Sequence, residues 1–319
     1  MNFRLIAVTL IIASALTAAA FAQGIAVGTP VNVIANLKVS DSGRKPVSGL
    51  KKADIKVFEN GIEQNILYFA EKSPDLHIGF VVDNSGSLRG QLERVIDIGK
   101  FITSNLSEND EAFVVRFVSR DKVTLVQSWT SNKDLLDKSF DDLFIDGGLS
   151  AVVDGLYLAQ DKVSQRSKEF KSGRYALVLI SDCEDRDSFY SLKQLISSLR
   201  PTNIQVFVVS LAPRLSSEVG FLRADTAARK RAENFADTLS LMTGGIVIAP
   251  FDEERRKQPL IQSLRPLFEE LQANYVISYT SSNPQWDGKT RSLRVEVADD
   301  EKGAKRQVIA RESFVVPTK

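Results

Sequence analysis

A doubly wound, mostly parallel α/β sheet, flanked by an antiparallel β module drawn from both ends of the chain, is the fold class that three features predict. Residues 76–82, 175–181 and 204–211 are nearly continuous apolar runs rich in Val and Ile, the pattern of parallel strands covered on both faces. Helical patterns lie between them, at residues 88–106, 132–140 and 150–163, and strands that alternate with helices build parallel sheets through right-handed crossovers. Segments with a two-residue period are confined to the ends, within residues 25–69 and 275–316. A chain of 319 residues is long enough for both parts. The expected organisation is a signal peptide at 1–22, an N-terminal β segment at 23–75, a central domain at 76–274, and a C-terminal β segment at 275–319 that packs with 23–75.

The elements follow in order. Arg4 supplies a positive charge, residues 5–16 are apolar, and Ala20-Phe21-Ala22 is a small-x-small cleavage pattern. The expectation is an exported protein, periplasmic or extracellular, cut after Ala22 and with no membrane insertion thereafter. An uncleaved anchor is the competing reading, but the run is short for a span. No Cys follows it to carry a lipid.

Residues 31–39 and 54–58 alternate, Asp41-Ser42-Gly43 reads as a turn, and Asn60-Gly61 is the strongest hairpin signal in the chain. Residues 64–69 are the expected returning strand. At the far end, residues 275–279, 292–297, 307–311 and 314–316 read as strands, with Asp287-Gly288 as a turn. A β unit of about fifty residues is marginal alone, so the two ends are expected to form one sandwich.

In the central region, residues 112–118 and 123–127 surround the Arg120-Asp121 turn and predict an antiparallel edge hairpin. Residues 212–224 form a long loop, the following helix stops at Gly244-Gly245, and residues 245–249 and 259–273 supply a last strand and helix.

Composition excludes several chemistries. With 41 basic and 40 acidic residues, nothing points to nucleic acid or an anionic membrane surface. One Cys and one His rule out an internal disulfide and the usual zinc sites. Catalysis of the Ser-His-Asp or Cys-His kind would have to use His77, whose place in an apolar run marks it as a strand residue with a satisfied ring.

The functional signal lies where the first buried strand ends, at Val81-Val82-Asp83-Asn84-Ser85-Gly86-Ser87. An Asp-x-Ser-x-Ser turn between strand and helix sets Asp83, Ser85 and Ser87 at the carboxyl edge of a sheet, where open α/β folds gather their sites. Hydroxyl and carboxylate donors suit a hard cation that keeps water in its shell. Downstream lie Gly147-Gly148-Leu149-Ser150-Ala151 with Asp154-Gly155-Leu156, and the strand at 175–181 ending in Asp182.

Together these three stretches resemble the von Willebrand factor A domain and its metal-ion-dependent adhesion site. The resemblance implies that Ser150 stands where the family's second-loop Thr reaches the ion, and that Asp182 is the third-loop carboxylate. It implies Mg²⁺, or Mn²⁺ or Ca²⁺ in its place, with a partner protein's Asp or Glu completing the shell. Two departures bear on affinity. Ser150 lacks the methyl that restricts a Thr rotamer, and Cys183 replaces the usual Gly and adds bulk beside the site. Residues 47–54, 57–61, 275–279 and 287–289 resemble the flanks of an exported bacterial family of A-domain proteins.

Two other readings are open. Glu184, Asp185 and Asp187 crowd near Asp182, as a metal-dependent hydrolase would need, but the chain has no glycine-rich phosphate loop and such a cluster also complements a helix N-terminus. An enzyme is not expected. A structural envelope scaffold with an incidental metal site is the other alternative.

Overall fold

The computed structural model describes residues 30–71, 75–169, 173–202, 204–211, 226–250, 260–300 and 303–318. The signal segment at 1–22 and the loop at 212–224 lie outside the described residues.

In chain order, the N-terminal strands are β1 (Asn32–Ser40), β2 (Ile55–Glu59), β3 (Ile62–Gln64) and β4 (Ile66–Glu71). The central elements are β5 (Leu76–Asp83), α1 (Leu92–Ser104), β6 (Glu111–Phe117), β7 (Val123–Thr130), α2 (Lys133–Asp141), α3 (Val152–Glu169) and β8 (Arg174–Ser181). They continue through α4 (Leu192–Leu199), β9 (Gln205–Ser210), α5 (Thr226–Thr243), β10 (Val247–Ile248) and α6 (Leu260–Leu271). The chain closes with β11 (Tyr275–Thr280), β12 (Thr290–Val297), β13 (Gln307–Ile309) and β14 (Ser313–Val315).

The central sheet has the order β10-β9-β8-β5-β6-β7. All its pairings are parallel except β6 with β7, the antiparallel edge hairpin. All eight residues of β5 are buried, because helices cover both faces. On one side Val95, Ile98, Phe140 and Leu264 pack on Ile78 and Phe80; on the other Val152, Leu156, Leu195 and Leu239 pack near Val81, Leu177 and Leu179. Gly79 has no room for a side chain, since a Cβ there would lie 2.3 Å from Phe113.

Both ends of the chain build one antiparallel sandwich. One sheet runs β13-β1-β11-β4 and the other β14-β12-β2-β3, with Val33, Leu37, Val57, Tyr275, Ile277 and Leu293 in the core between them. Val33 lies opposite Tyr279 and Leu37 opposite Tyr275, which closes residue 32 onto residue 280. The sandwich meets the central domain at the start of its strands. Gln205 Nε2, at the first residue of β9, donates to Asn36 Oδ1 at 3.0 Å, and Arg174, at the first residue of β8, donates to the Ala273 carbonyl at 2.8 Å. The carboxyl edge of the central sheet faces the other way.

Three details differ from the sequence expectations. The hairpin after Asn60 (φ 48°) and Gly61 (φ 82°), positive at both positions as a tight primed turn requires, returns through Ile62–Gln64. The chain then breaks at Asn65, and β4 pairs with β11 in the opposite sheet. Gln64 fixes this corner, donating to Ser282 Oγ at 3.0 Å and accepting from the Ser282 N–H at 2.9 Å. The helix expected from residue 88 begins as a 3₁₀ turn at Gly86–Gln91, and α1 proper starts at Leu92. Finally, α4 was not anticipated, although Ser191 and Gln194 form a capping box at its start.

Candidate metal centre

Every oxygen of the site is presented by a turn that follows a buried strand or precedes a helix. β5 delivers Asp83 fully buried, and the Ser85 N–H folds back to Asp83 Oδ1 at 2.9 Å. This carboxylate turn aims the backbone into the 3₁₀ turn, where Ser85 Oγ and Ser87 Oγ lie 2.9 Å apart. Asn84 holds the loop to its neighbours: its N–H donates to the Phe117 carbonyl at 2.9 Å and its Nδ2 to the Phe144 carbonyl at 2.8 Å.

The second loop reaches Ser150 through Gly147 (φ 74°) and Gly148 (φ 99°), backbone conformations that side chains rarely adopt. Gly86 of the first loop lies beside the second loop, where a Cβ would make ordinary contact with Gly147 Cα at 3.6 Å. Ser150 is buried, and its Oγ donates to Asp83 Oδ2 at 3.1 Å. Its carbonyl accepts the N–H groups of Arg186 at 2.8 Å and Asp187 at 3.0 Å, tying the second loop to the third.

The third loop opens at the end of β8. Ser181 Oγ donates to Asp83 Oδ2 at 2.7 Å and accepts the Cys183 N–H at 2.9 Å. Asp182 Oδ1 accepts the Glu184 N–H at 2.9 Å, while its Oδ2 receives Ser87 Oγ at 2.6 Å. Cys183 has φ 62°, the left-handed region that favours glycine. Its side chain is buried in the apolar cluster with Val81, Leu179 and Leu156. The bulk of this residue therefore goes into the core.

The structure brings Asp83, Ser85, Ser87, Ser150 and Asp182 into one hydrogen-bonded group. Sequence reasoning passed over Ser181, which positions Asp83, and Asn84, which staples the loops. The polar end of an apolar strand was the signal for Ser181; nothing local marked the role of Asn84. His77 lies at the opposite end of β5, where its Nδ1 stands 2.7 Å from Glu111 Oε1 and its ring stacks on Tyr175 at 4.9 Å. It is a satisfied strand residue. The acidic crowd after Asp182 is engaged in the loop's own structure: Glu184 pairs with Arg186, Asp187 with Arg120, and Asp185 Oδ1 accepts the Val153 N–H at the start of α3.

Electrostatics favour a cation. Burial first, and then the charge of Asp182, push the Asp83 carboxyl well above the ordinary carboxylate range. Burial likewise raises Asp182, opposed by the Ser87 hydrogen bond and the Arg186 charge. Among the described residues no Lys or Arg side chain hydrogen-bonds either carboxylate, so two buried acids face one another across serine hydroxyls. Two carboxylates and three hydroxyls, with no nitrogen or sulfur donor, fit a small divalent cation such as Mg²⁺. Among the described residues there is no group of three or more His, Cys, Asp or Glu side chains that could hold a metal ion; the candidate set has two such side chains, Asp83 and Asp182, and three serines.

Residues 78–184 match the von Willebrand factor type A domain family. Among solved structures, the chain is similar to an aerotolerance-related membrane protein from Bacteroides fragilis at 16% identity, over 61% of this chain and 98% of that one, with a TM-score of 0.45. It is similar to BatB from Bacteroides thetaiotaomicron at 14% identity, over 61% and 99%, with a TM-score of 0.44. Proximal thread matrix protein 1 from the mussel byssus matches at 15% identity, over 67% and 51%, with a TM-score of 0.45. No curated protein sequence matches the chain.

Proposed function

From the premise that residues 78–184 are a von Willebrand factor type A domain, we propose that this chain is an exported protein-binding module. It captures an Asp or Glu carboxylate of a partner through a divalent cation, Mg²⁺ or in its place Mn²⁺ or Ca²⁺. The observation that carries the reading is the convergence of Asp83, Ser85, Ser87, Ser150 and Asp182 through hydrogen bonds of 2.6–3.1 Å.

Asp83 and Asp182 supply the negative charge, directly or through water. Ser85, Ser87 and Ser150 supply neutral oxygens. A hard cation with so few anionic ligands stays electrophilic and keeps a coordination position for an incoming acid. Ser181 and the Ser85 N–H hold the Asp83 carboxylate in one orientation, and Asp182 is fixed by the Glu184 N–H. These outer contacts decide how well the oxygens are preorganised.

Binding is favoured over hydrolysis because Glu184, Asp185 and Asp187, the acids available as a general base, are each engaged in an ion pair or a helix cap. Export rests on the N-terminal residues, a charge followed by an apolar run and a small-x-small pattern. Among the described residues no helix is long and apolar enough to cross a membrane.

The test is capture from envelope extract on immobilised protein in Mg²⁺ and in EDTA, beside calorimetric titration with Mn²⁺. Wild type should bind Mn²⁺ and retain a partner only with the metal. Asp83→Ala should lose both while remaining folded. Equal capture by the folded variant would remove the ion from the mechanism and leave the scaffold reading.

A further inference from the structure

A cavity of about 240 Å³ lies between the central domain and the sandwich. The central domain lends it Asp237 and Ser240 of α5 and Val247 of β10; the sandwich lends Thr290 of β12, Phe314 of β14 and the preceding Arg311. One water needs only about 10–15 Å³, so the space is that of a small organic molecule. Apolar walls with a few polar groups are the make-up of a ligand site.

Arg311 is held in one orientation. Its Nη1 donates to the Gly245 carbonyl at 3.0 Å, and its guanidinium carbon stands 5.9 Å from the centre of the Phe314 ring. Nε and Nη2 are buried and have no hydrogen-bond partner among the described residues. These two nitrogens share one edge of the guanidinium, the fork that grips both oxygens of a carboxylate. Buried donors without an acceptor are costly, and two on the same edge call for a bidentate one.

The acids nearby narrow the ligand further. Glu270 lies near Arg311 but outside this cavity: its charge favours the guanidinium, while its Oε2 accepts from Asn36 Nδ2 at 2.5 Å. Within the cavity, Asp237 has neither a hydrogen bond nor an ion pair to its carboxyl among the described residues. Its neighbour Glu233 is paired with Arg229. Two acids around one guanidinium disfavour a simple anion, a phosphate above all. One carboxylate and one ammonium on the same molecule match both sides of the cavity.

We propose that this interdomain cavity binds a small amino-carboxylate, its carboxylate gripped by Nε and Nη2 of Arg311, its ammonium by Asp237, and its apolar body against Val247 and Phe314. The site is independent of the metal centre.

The experiment is calorimetric titration of the full chain with L-leucine, γ-aminobutyrate and ε-aminocaproate, which differ in the separation of their charges. At least one should bind, about tenfold or more tighter than its N-acetyl or carboxamide form, because each modification removes a charge-assisted hydrogen bond. Arg311→Lys keeps the charge, loses the fork and should weaken that ligand about tenfold. Asp237→Asn should abolish the preference over the N-acetyl form. Cooperative urea unfolding checks that each variant is folded, and the comparison of ligand forms on wild type decides the matter without them. Failure of all three to bind would overturn the proposal. So would equal binding of the N-acetyl or carboxamide form, or an unchanged affinity in folded Arg311→Lys.

Discussion

Ser87 donates to Asp182 at 2.6 Å across a separation of 95 residues. This bond joins the first loop to the third, just as the Ser150 hydroxyl joins the second to Asp83. No pair of loops is independent, so a change in one turn is felt at ligands carried by another.

Ser181 tests that coupling. Ser181→Ala removes the 2.7 Å donor to Asp83 Oδ2 and strips the Cys183 N–H of its acceptor. Mn²⁺ affinity, followed by calorimetry, is expected to fall about tenfold, as when outer contacts of a metal site are lost. An unaltered affinity would mean that Asp83 is held without it.

Cys183 combines a left-handed backbone with a buried side chain. Cys183→Ala loses the thiol and keeps the backbone conflict; Cys183→Gly loses more apolar surface and relieves about 1 kcal/mol of conflict. In urea unfolding, the Gly variant should be no less stable than the Ala variant, the reverse of the order in an ordinary strand or helix. A Gly variant weaker by about 1 kcal/mol or more would show that the φ of 62° stores no strain.

Asp237 on α5 gives the stability a pH dependence. Its carboxyl is pushed up from 3.8 to about 6, first by burial and then by the charge of Glu233. The unfolded chain loses this proton at lower pH than the folded one. The contribution is therefore fully present below about pH 4 and disappears as the pH rises through the folded value. Asp237→Asn should flatten that decline by about 1 kcal/mol after discounting for solvent screening. Thermal midpoints from pH 4 to 8, compared for the two proteins, decide it; parallel curves would exclude Asp237.

Arg291 is the largest of the fully buried side chains in the sandwich, and its Nη1 donates to Glu59 Oε1 at 3.0 Å, to Ser281 Oγ at 2.9 Å and to the Asn283 carbonyl at 2.7 Å. Arg291→Met leaves Glu59 buried without its cation and is expected to cost about 3–5 kcal/mol. Adding Glu59→Gln should recover part of the loss, because the remaining penalty is that of an unpaired charge. No recovery in the double variant would place the loss in packing.

Much of the architecture was legible from local signals. The Val- and Ile-rich runs became β5, β8 and β9, and the alternating ends became the sandwich, because each pattern records which faces of a strand are buried. The Asn60-Gly61 turn was readable for the same reason: its two positive φ values are a property of those two residues. The partner of the following strand was not. The sequence pattern says that residues 64–69 are extended, but the pairing of β4 with β11 rather than β2 depends on a corner held by Ser282, which lies 218 residues away from Gln64.

The same division runs through the site. By itself, the sequence determined which oxygens stand at which turns, since a strand, an Asp-x-Ser-x-Ser turn and a helix start are encoded within a dozen residues. Only the tertiary structure decided that Asp83 Oδ2 is shared by Ser150 and Ser181, 67 and 98 residues away, that the acids after Asp182 serve the loop, and that Cys183 points into the core. Local patterns report on backbone and burial. Which side chains meet depends on closing long loops around a packed sheet, a free energy that belongs to the whole fold.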